Sequence, residues 1–195
     1  MEMEKNIVLI GFMGTGKSSV GLKLAEKLKM KFVDMDREIE KVTGMSVSQL
    51  FRKYGEIRFR SEERLMAQKL SRQSNLVIAT GGGVVLEDEN IQQLQENGIV
   101  ICLEARPEDI LARVNRKKGT RPLLKRDLTI EDVENMLQTR EPLYSCTKYR
   151  INTSNKDLFT VVNEIHKIIK QLESTKEREG EAGDKTSSQA GRTIL

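Results

Sequence analysis

A glycine-rich segment near the N-terminus limits the folds open to this chain more than any other feature. It reads GFMGTGKSSVG over residues 11–21, and residues 11–18 match the pattern G-x-x-x-x-G-K-[ST]. Glycines let the backbone curl around an anion, and a helix that follows adds the positive end of its dipole. The apolar run NIVLI precedes the segment and the amphipathic run LKLAEKLK follows it. A turn without a ligand is the alternative, and these flanks favour a P-loop that binds a nucleoside triphosphate.

The P-loop residues are the first candidate ligand contacts. Lys17 is expected to reach the β- and γ-phosphates of ATP and to be catalytic, and the Ser18 hydroxyl is expected to bind Mg²⁺. A nucleoside triphosphate is then the expected co-substrate and Mg²⁺ the expected cofactor. The predicted ATP contacts in this loop are Gly14, Thr15, Gly16, Lys17, Ser18 and Ser19.

Composition narrows the class of protein further. The chain has 195 residues, of which 37% are hydrophobic and 32% are charged, as expected of one soluble globular domain. Because no apolar run approaches the roughly 18 residues of a membrane span, no membrane partner is predicted. The first predicted strand begins within a few residues of Met1. That leaves no room for a targeting peptide and indicates a cytoplasmic location.

Scarce residue types argue against several other functions. One histidine and two cysteines, Cys102 and Cys146, provide no zinc site, no disulfide framework and no Ser–His or Cys–His nucleophile. The net charge of +4 could suit nucleic acid, but only 4% of the residues are aromatic and the arginines are dispersed. The positive charge therefore predicts small anionic ligands in a cleft and no nucleic-acid partner.

Short apolar runs alternate with helical patterns along the chain. Strands are predicted at KNIVLI, KFVDMD, NLVIA, IVICLE and KYRIN. This order predicts an α/β, three-layer P-loop NTPase fold, with a parallel sheet of about five strands and helices on both faces. Ligands in such folds collect at the carboxyl ends of the strands. The P-loop, the acids of FVDMD and the triple glycine at 81–83 all fall at such ends.

Several helix boundaries follow from capping residues. The sequence SVSQ at residues 46–49 is a capping box for a helix to residue 54, and the next helix covers residues 56–72. Gly98 is expected to end a helix over residues 88–97. Thr153 or Asn155 is expected to begin the last helix, which ends near residue 172.

Composition also suggests how the chain is divided. Residues 1–172 are predicted to form the P-loop domain. Within it, the polar and basic segment NRKKGTRPLLKRD, at about 115–128, is expected to be a mobile lid because Gly119 and Pro122 interrupt regular structure. Residues 173–195 are rich in Gly, Ser, Thr and charge, and are predicted to be a disordered tail.

Two aspartates end the second predicted strand, in the sequence FVDMD. Asp34 and Asp36 stand at i and i+2, so both side chains would point the same way from an extended segment. Asp34 is expected to hold Mg²⁺ through its water shell. Asp36 is expected to orient an acceptor hydroxyl and take its proton. Capping of the next helix is the alternative for Asp36, and the nearby P-loop favours catalysis.

These segments in combination resemble the shikimate kinase family, within the nucleoside monophosphate kinase-like group of P-loop proteins. The resemblance covers about residues 5–172 and rests on GFMGTGKSSVG, FVDMD, GEIRFRSEE, GGGVV, KKGTRPLL and REPLY, in that order. It implies phosphorylation of the 3-hydroxyl of shikimate by ATP, a step of aromatic amino acid biosynthesis. It also implies a monomeric enzyme.

The resemblance assigns a role to residues of each motif. Arg60, not Arg58, is the implied carboxylate binder in GEIRFRSEE, and Arg140 in REPLY is a second one. A guanidinium offers paired donors to a carboxylate, which supports both assignments. Ion pairs with glutamates on solvated helix faces are the alternative. The other implied substrate contacts are Asp36, Gly81, Gly82 and Gly83.

Further implied contacts belong to the nucleotide. Arg121 in KKGTRPLL is expected to close over the γ-phosphate and to be catalytic. Adenine is expected near Arg116, with Arg113 as a competing candidate, and near residues 152–154 of the INTSN loop, where Asn152 is the named contact.

Two other functions remain open from the sequence. One is a kinase of the same fold with another substrate, such as gluconate or a nucleotide. The other is a regulatory module that binds nucleotide without catalysis. Asp36 with the two candidate carboxylate binders favours shikimate over a nucleotide, and the acid pair with Arg121 favours an enzyme over a module.

Overall fold

A computed structural model describes residues 5–116 and 128–189 of the chain, with side chains up to residue 175. These residues contain one sheet of five strands in the order β2-β3-β1-β4-β5, and each adjacent pair is parallel. The strands are β1 (Asn6–Ile10), β2 (Lys31–Asp34), β3 (Leu76–Ala79), β4 (Gly98–Glu104) and β5 (Arg150–Asn152). The sheet confirms the predicted fold class.

Helices cover both faces of this sheet. They are α1 (Lys17–Leu28), α2 (Met35–Thr43), α3 (Val47–Ser71), α4 (Asp88–Glu96), α5 (Pro107–Asn115), α6 (Ile130–Tyr144) and α7 (Leu158–Gln189), with a short 3₁₀ turn at Val84–Leu86. Side chains alternate across a strand, so the central strand β1 contributes to two cores. Val8 and Ile10 pack with the buried residues of α2 to α6, whereas Ile7 and Leu9 pack with those of α1 and α7.

Helix α3 is interrupted at one residue. Gly55 has φ 78° and ψ 179°, a conformation that glycine adopts without steric cost. The predicted break between residues 54 and 56 is therefore confirmed. The capping box is confirmed too, because the Ser46 hydroxyl accepts from the Gln49 N–H at 3.2 Å and the Gln49 side chain accepts from the Ser46 N–H at 2.9 Å.

Two predicted helix boundaries are wrong. Gly98 does not cap α4 but opens β4, and a Cβ at this position would overlap the Leu94 carbonyl oxygen, so close packing explains this glycine. The last helix begins at Leu158 instead of near Thr153 or Asn155. Its first turn is capped by Asp157, which accepts from the Thr160 N–H at 2.7 Å.

Helix α7 is also longer than predicted, since it continues to Gln189 instead of ending near residue 172. Among its residues with described side chains, Ile169 is the last that is buried. The division into a domain at 1–172 and a tail at 173–195 stays a prediction.

Two further sequence predictions concern the lid and the membrane. The expected lid at about 115–128, with Arg121, lies almost wholly outside the described residues. Among the helices within the described ranges, none combines the length and apolar character needed to cross a membrane.

Candidate active site

A cavity of about 500 Å³ opens at the carboxyl end of the sheet. The loops that follow β1 and β3 and the end of β2 line it, together with residues of α1, α2, α3, α5 and α6. The residues predicted from the sequence that line this cavity are Gly14, Gly16, Lys17, Ser18, Ser19, Asp34, Asp36, Arg60, Gly81, Gly82, Gly83, Arg113 and Arg140.

The loop after β1 has the backbone of a phosphate-binding loop. Gly11, Gly14 and Gly16 have φ values of 136°, 81° and 99°, which side-chain-bearing residues rarely adopt. Helix α1 begins directly after Gly16, so its first N–H groups and the positive end of its dipole face the loop. The loop is therefore built to hold an anion at the helix N-terminus.

Lys17 folds back over this loop and is 92% buried. Its Nζ donates to the carbonyl oxygens of Gly11 at 2.7 Å and Phe12 at 2.9 Å. The ammonium charge is thus held on the loop and lines the cavity. Thr15, in contrast, is buried within the loop, and its hydroxyl donates to the Phe12 carbonyl at 2.8 Å.

Ser18 and Asp34 come together although they belong to different elements. The Ser18 hydroxyl donates to Asp34 Oδ2 at 2.7 Å, and Asp34 Oδ1 accepts from the Arg37 N–H at 3.3 Å. A hydroxyl and a carboxylate are the oxygen donors that Mg²⁺ prefers. No group of three His, Cys, Asp or Glu side chains within the described ranges could hold a metal. A Mg²⁺ ion here would therefore take most of its ligands from phosphate and water.

Asp36 lies in the cavity, but the predicted geometry is wrong. It is not in an extended segment, because α2 begins at Met35 and places Asp36 in its first turn. The helix starts this early because the Asp34 carboxylate caps it. A Cβ at Gly81 would lie 2.8 Å from Asp36 Oδ1, so the glycine loop after β3 passes directly over this carboxylate.

Arg60 points into the cavity, whereas Arg58 does not. The Arg60 side chain is 13% exposed, and its Nε and Nη2 donate to Glu56 Oε1 at 3.2 Å and 2.9 Å. Its Nη1 donates to Glu63. Arg58 is 59% exposed and pairs with the largely buried Glu62. Two carboxylates therefore fix the plane of the Arg60 guanidinium.

The glycine loop makes room for this guanidinium. A Cβ at Gly83 would overlap Nη1 of Arg60 and would lie 2.6 Å from Nη2. A real Cβ does not approach another atom so closely. A side chain at residue 83 would therefore push Arg60 out of its place.

Glu63 is the site residue that sequence reasoning did not single out. Its side chain is 1% exposed, and its Oε1 receives no hydrogen bond from the described residues. Burial raises the pKa of the Glu63 carboxyl to about 7, against the opposing effect of Arg60, and the nearby Asp36 adds to the rise. The available signal was helical spacing, because Glu63 stands one turn after Phe59 on the buried face of α3.

Arg140 reaches the same end of the cavity from α6. Its Nη1 donates to the Gly82 carbonyl at 3.1 Å, and its guanidinium lies 5.4 Å from the centre of the Phe12 ring. Phe51 and Phe59 form an apolar wall beside these charges, with ring centres 4.6 Å apart. Two guanidinium groups, a carboxylate and an aromatic wall thus surround one space.

Two of the predicted adenine contacts do not line the cavity. Arg116 and Asn152 are exposed and do not line the cavity, and Asn152 accepts from the Ser154 N–H at 2.7 Å. Arg113, the competing candidate, does line it. Arg121 lies outside the described residues. The nucleotide roles of Arg116, Asn152 and Arg121 stay predictions.

The cavity has two chemically distinct ends. One end has the P-loop, Lys17 and a Ser18–Asp34 pair suited to Mg²⁺; the remaining lining includes Asp36, Arg60 and Arg140. Such an arrangement can bring a phosphate donor and a small anionic acceptor together. The fold and the site therefore define a P-loop kinase that acts on a small molecule.

Comparison with known proteins identifies the family. The family model "Shikimate kinase" matches residues 13–170. A shikimate kinase of Pelotomaculum thermopropionicum is 50% identical over 167 residues, which are 86% of this chain and 96% of the relative. The chain belongs to the shikimate kinase family. The family confirms the predicted enzyme class, a kinase that phosphorylates shikimate with ATP.

Solved structures agree with this assignment. Shikimate kinase from Acinetobacter baumannii, determined in complex with shikimate, superposes with a TM-score of 0.82 at 37% identity, covering 88% of this chain and 96% of that one. A gluconokinase from Sinorhizobium meliloti superposes with a TM-score of 0.60 at 14% identity, covering 92% and 99% of the two chains. The second similarity reflects the shared fold alone.

Proposed function

We propose that this chain transfers the γ-phosphoryl group of ATP to the 3-hydroxyl of shikimate in the cavity described above. One observation carries the assignment of residues to this reaction: Arg60, Arg140 and Asp36 line one end of a cavity whose other end is the P-loop. A small cyclic acid with several hydroxyls needs cationic forks for its carboxylate and an acceptor for its hydroxyl protons.

The arginine end of the cavity binds the acceptor substrate. Arg60 and Arg140 bind its carboxylate, and the backbone of residues 81–83 lies against its ring. Asp36 accepts a hydrogen bond from the reacting hydroxyl and takes its proton as the phosphoryl group is transferred. Glu63 holds the Arg60 guanidinium in place, as the contact between the two groups supports.

The P-loop end binds ATP and stabilises the charge that develops during transfer. Backbone N–H groups of the loop and the Lys17 ammonium bind the phosphates, and Arg121 adds a further positive charge. Ser18 would hold Mg²⁺ directly and Asp34 would hold it through water, and the ion would supply charge neutralisation between the phosphates. Positioning and electrostatics then account for most of the catalysis.

A coupled assay of ADP release tests this proposal. ADP release from Mg·ATP is expected to depend strongly on shikimate, with little release in the presence of gluconate or nucleoside monophosphates. Preference for gluconate would assign the chain to another kinase with the same fold. ATP binding without turnover on any of these acceptors would leave only a nucleotide-binding module.

We also propose that the enzyme acts as a monomer in the cytoplasm. The family resemblance supports the first part, and the composition of the chain supports the second. Sedimentation at assay concentrations tests the oligomeric state. A mass of one chain, 22.2 kDa, is expected.

A further inference from the structure

The outer side of the P-loop is tied to two residues of distant segments, Arg113 of α5 and Thr153 after β5. Neither is a P-loop residue, and their hydrogen bonds go to carbonyl oxygens of the loop. A planar peptide unit directs its C=O and the following N–H in opposite directions. A residue that holds a loop carbonyl outward therefore also decides where the next N–H points.

Thr153 fixes the peptide unit between Thr15 and Gly16. Thr153 is 96% buried. Its hydroxyl lies 3.1 Å from the Thr15 carbonyl oxygen and 3.0 Å from the Glu104 carbonyl oxygen, and these two acceptors share its single proton. Because the Thr15 carbonyl faces Thr153, the Gly16 N–H points away from Thr153. Gly16 lines the cavity and Thr153 does not, so this N–H is turned to the ligand side of the loop.

Arg113 fixes the preceding unit and holds Thr153 at the same time. Its Nη1 donates to the Gly14 carbonyl at 3.2 Å and to Thr153 Oγ1 at 2.9 Å, and its Nη2 donates to the Thr153 carbonyl at 3.0 Å. The donation to Oγ1 directs the hydroxyl proton of Thr153 towards the two carbonyls. The Thr15 N–H belongs to the same peptide unit as the Gly14 carbonyl. Within the loop it makes only a long hydrogen bond, of 3.4 Å, to the Phe12 carbonyl oxygen.

Packing alone does not give the loop this orientation. A Cβ at Gly14 would meet the Ile110 carbonyl and a Val114 methyl at 3.2 Å, so the loop already lies against α5 as closely as a glycine permits. Contact of this kind sets the distance between the loop and the helix. The hydrogen bonds of Arg113 and Thr153 set the rotation of the peptide planes.

We propose that Thr153 and Arg113 are positioning residues for the triphosphate: they hold the Gly14 and Thr15 carbonyls outward so that the loop N–H groups are ready to bind phosphate. Both act through the loop backbone: Thr153 lies outside the cavity lining, and Arg113 holds the loop from within it. Their loss should weaken every ligand that carries the phosphate chain. The acceptor site, built by Arg60 and Arg140, should be unaffected.

The first test replaces the Thr153 hydroxyl with a methyl group of similar size. Thr153→Val is expected to raise KM for ATP and Kd for ADP about tenfold, which corresponds to the loss of one well-placed hydrogen-bond system. KM for shikimate should change less than twofold, and Thr153→Ser, which keeps the hydroxyl, should restore ATP binding to near the original value. Equal weakening of both substrates, or a Ser variant no better than Val, would overturn the proposal.

Thr147→Val is the matched control for a structural role. The Thr147 hydroxyl also donates to a strand carbonyl, that of Val100 at 2.7 Å, but it has no contact with the P-loop. Thr147→Val is expected to lower the unfolding midpoint about as much as Thr153→Val does and to leave KM for ATP unchanged. If Thr147→Val raised KM for ATP as Thr153→Val does, general destabilisation would explain both.

A second test separates backbone positioning from contact with adenine. Inorganic tripolyphosphate, which has no base, is used as a competitive inhibitor against ATP. Arg113→Met is expected to weaken tripolyphosphate about as strongly as Thr153→Val does, since tripolyphosphate needs the loop and has no base. A variant that weakens ADP but binds tripolyphosphate normally would show an adenine contact and overturn the proposal. This test stands even if Thr153→Val fails to fold.

Discussion

The Glu63 carboxylate lies directly against the Arg60 guanidinium at the closed end of the cavity, and it is almost completely removed from water. One of its oxygens bonds to Arg60, and the other receives no hydrogen bond from the described part of the chain. A buried carboxylate with only one hydrogen-bond partner loses more solvation free energy than that partner restores. That cost shows in the pKa of Glu63, which burial raises to about 7.

The first prediction concerns the stability of the fold against pH. Because the pKa of Glu63 is about 7 in the fold and 4.5 ordinarily, the folded protein binds this proton more tightly than the unfolded chain does. The resulting stability is complete below pH 4.5 and is lost as pH rises through 7. Between pH 5 and pH 8 the loss is about 2 to 3 kcal/mol.

Urea unfolding of the wild type and Glu63→Gln at both pH values measures this loss. The free energy of unfolding of the wild type should fall relative to that of the variant by about 2 to 3 kcal/mol. Glu89→Gln is the control, because the Glu89 side chain is 59% exposed and makes only a distant ion pair with Arg64. The free energy of unfolding of Glu89→Gln should change with pH as that of the wild type does. Parallel curves for the wild type and Glu63→Gln would show that Glu63 titrates normally in the fold.

The second prediction concerns Arg60 and Arg140, the two proposed carboxylate binders. Arg60→Lys and Arg140→Lys keep the positive charge but lose the planar fork. Each should raise KM for shikimate about 10- to 100-fold, as expected for the loss of a hydrogen bond to a charged group. KM for ATP should stay near its original value.

Steady-state kinetics with each substrate varied in turn gives both constants. Arg64→Lys is the matched control on the same helix as Arg60, because the Arg64 side chain is 57% exposed and faces away from the cavity lining. It should behave as the wild type does. An increase confined to KM for ATP in either active-site variant would contradict the assignment.

The third prediction uses the space that Gly83 leaves for Arg60. Its φ is −105°, which any residue adopts, so Gly83→Ala introduces a steric clash with the guanidinium and no backbone strain. Displacement of Arg60 should raise KM for shikimate at least tenfold, which corresponds to a loss of about 1.4 kcal/mol in binding free energy. In an Arg60→Ala background the same glycine change should add little, because the two changes act on one contact.

A double-mutant cycle built on KM for shikimate tests this coupling. The four proteins are the wild type, the two single variants and the double variant. Additive effects would mean that Gly83 contributes to binding independently of Arg60.

Local patterns were sufficient to predict the sheet and the phosphate end of the site. The P-loop, the cap at residues 46–49 and the break before Glu56 depend on residues a few positions apart, and the structure agrees with each. The choice of Arg60 over Arg58 came from the family pattern. Its physical counterpart is helix phase, since Phe59, Arg60 and Glu63 share the inner face of α3 while Arg58 faces water.

The features that the sequence did not reveal depend on contacts between distant segments. Asp36 was expected on an extended segment because a strand pattern does not show that the Asp34 side chain will cap a helix and end the strand early. Glu63 was passed over because its pKa depends on burial beneath Gly81 and beside Asp36. Arg113 and Thr153 bond to the P-loop across 99 and 138 residues, a relationship that no short motif contains.

The last prediction concerns Lys17, the one buried lysine within the described side chains. Lys17→Ala removes the only charged side chain that the P-loop residues Gly11–Ser18 contain, so the phosphates lose their cation at the point of transfer. Turnover should fall by on the order of 10³ or more, as expected for a charge that stabilises the transition state. Shikimate binding, measured by titration calorimetry, should persist because the arginine end of the cavity is unchanged.

Lys23→Ala is the control for this change on the same helix. Lys23 is half exposed and pairs with Glu26, away from the cavity, so its loss should leave turnover within twofold of the wild type. The Lys17 ammonium also bonds to the Gly11 and Phe12 carbonyls, so the unfolding midpoint of each variant is measured as well. A folded Lys17→Ala protein with near-normal turnover would remove the P-loop lysine from the mechanism and leave Arg121 and the metal as the charges that act on the transferred group.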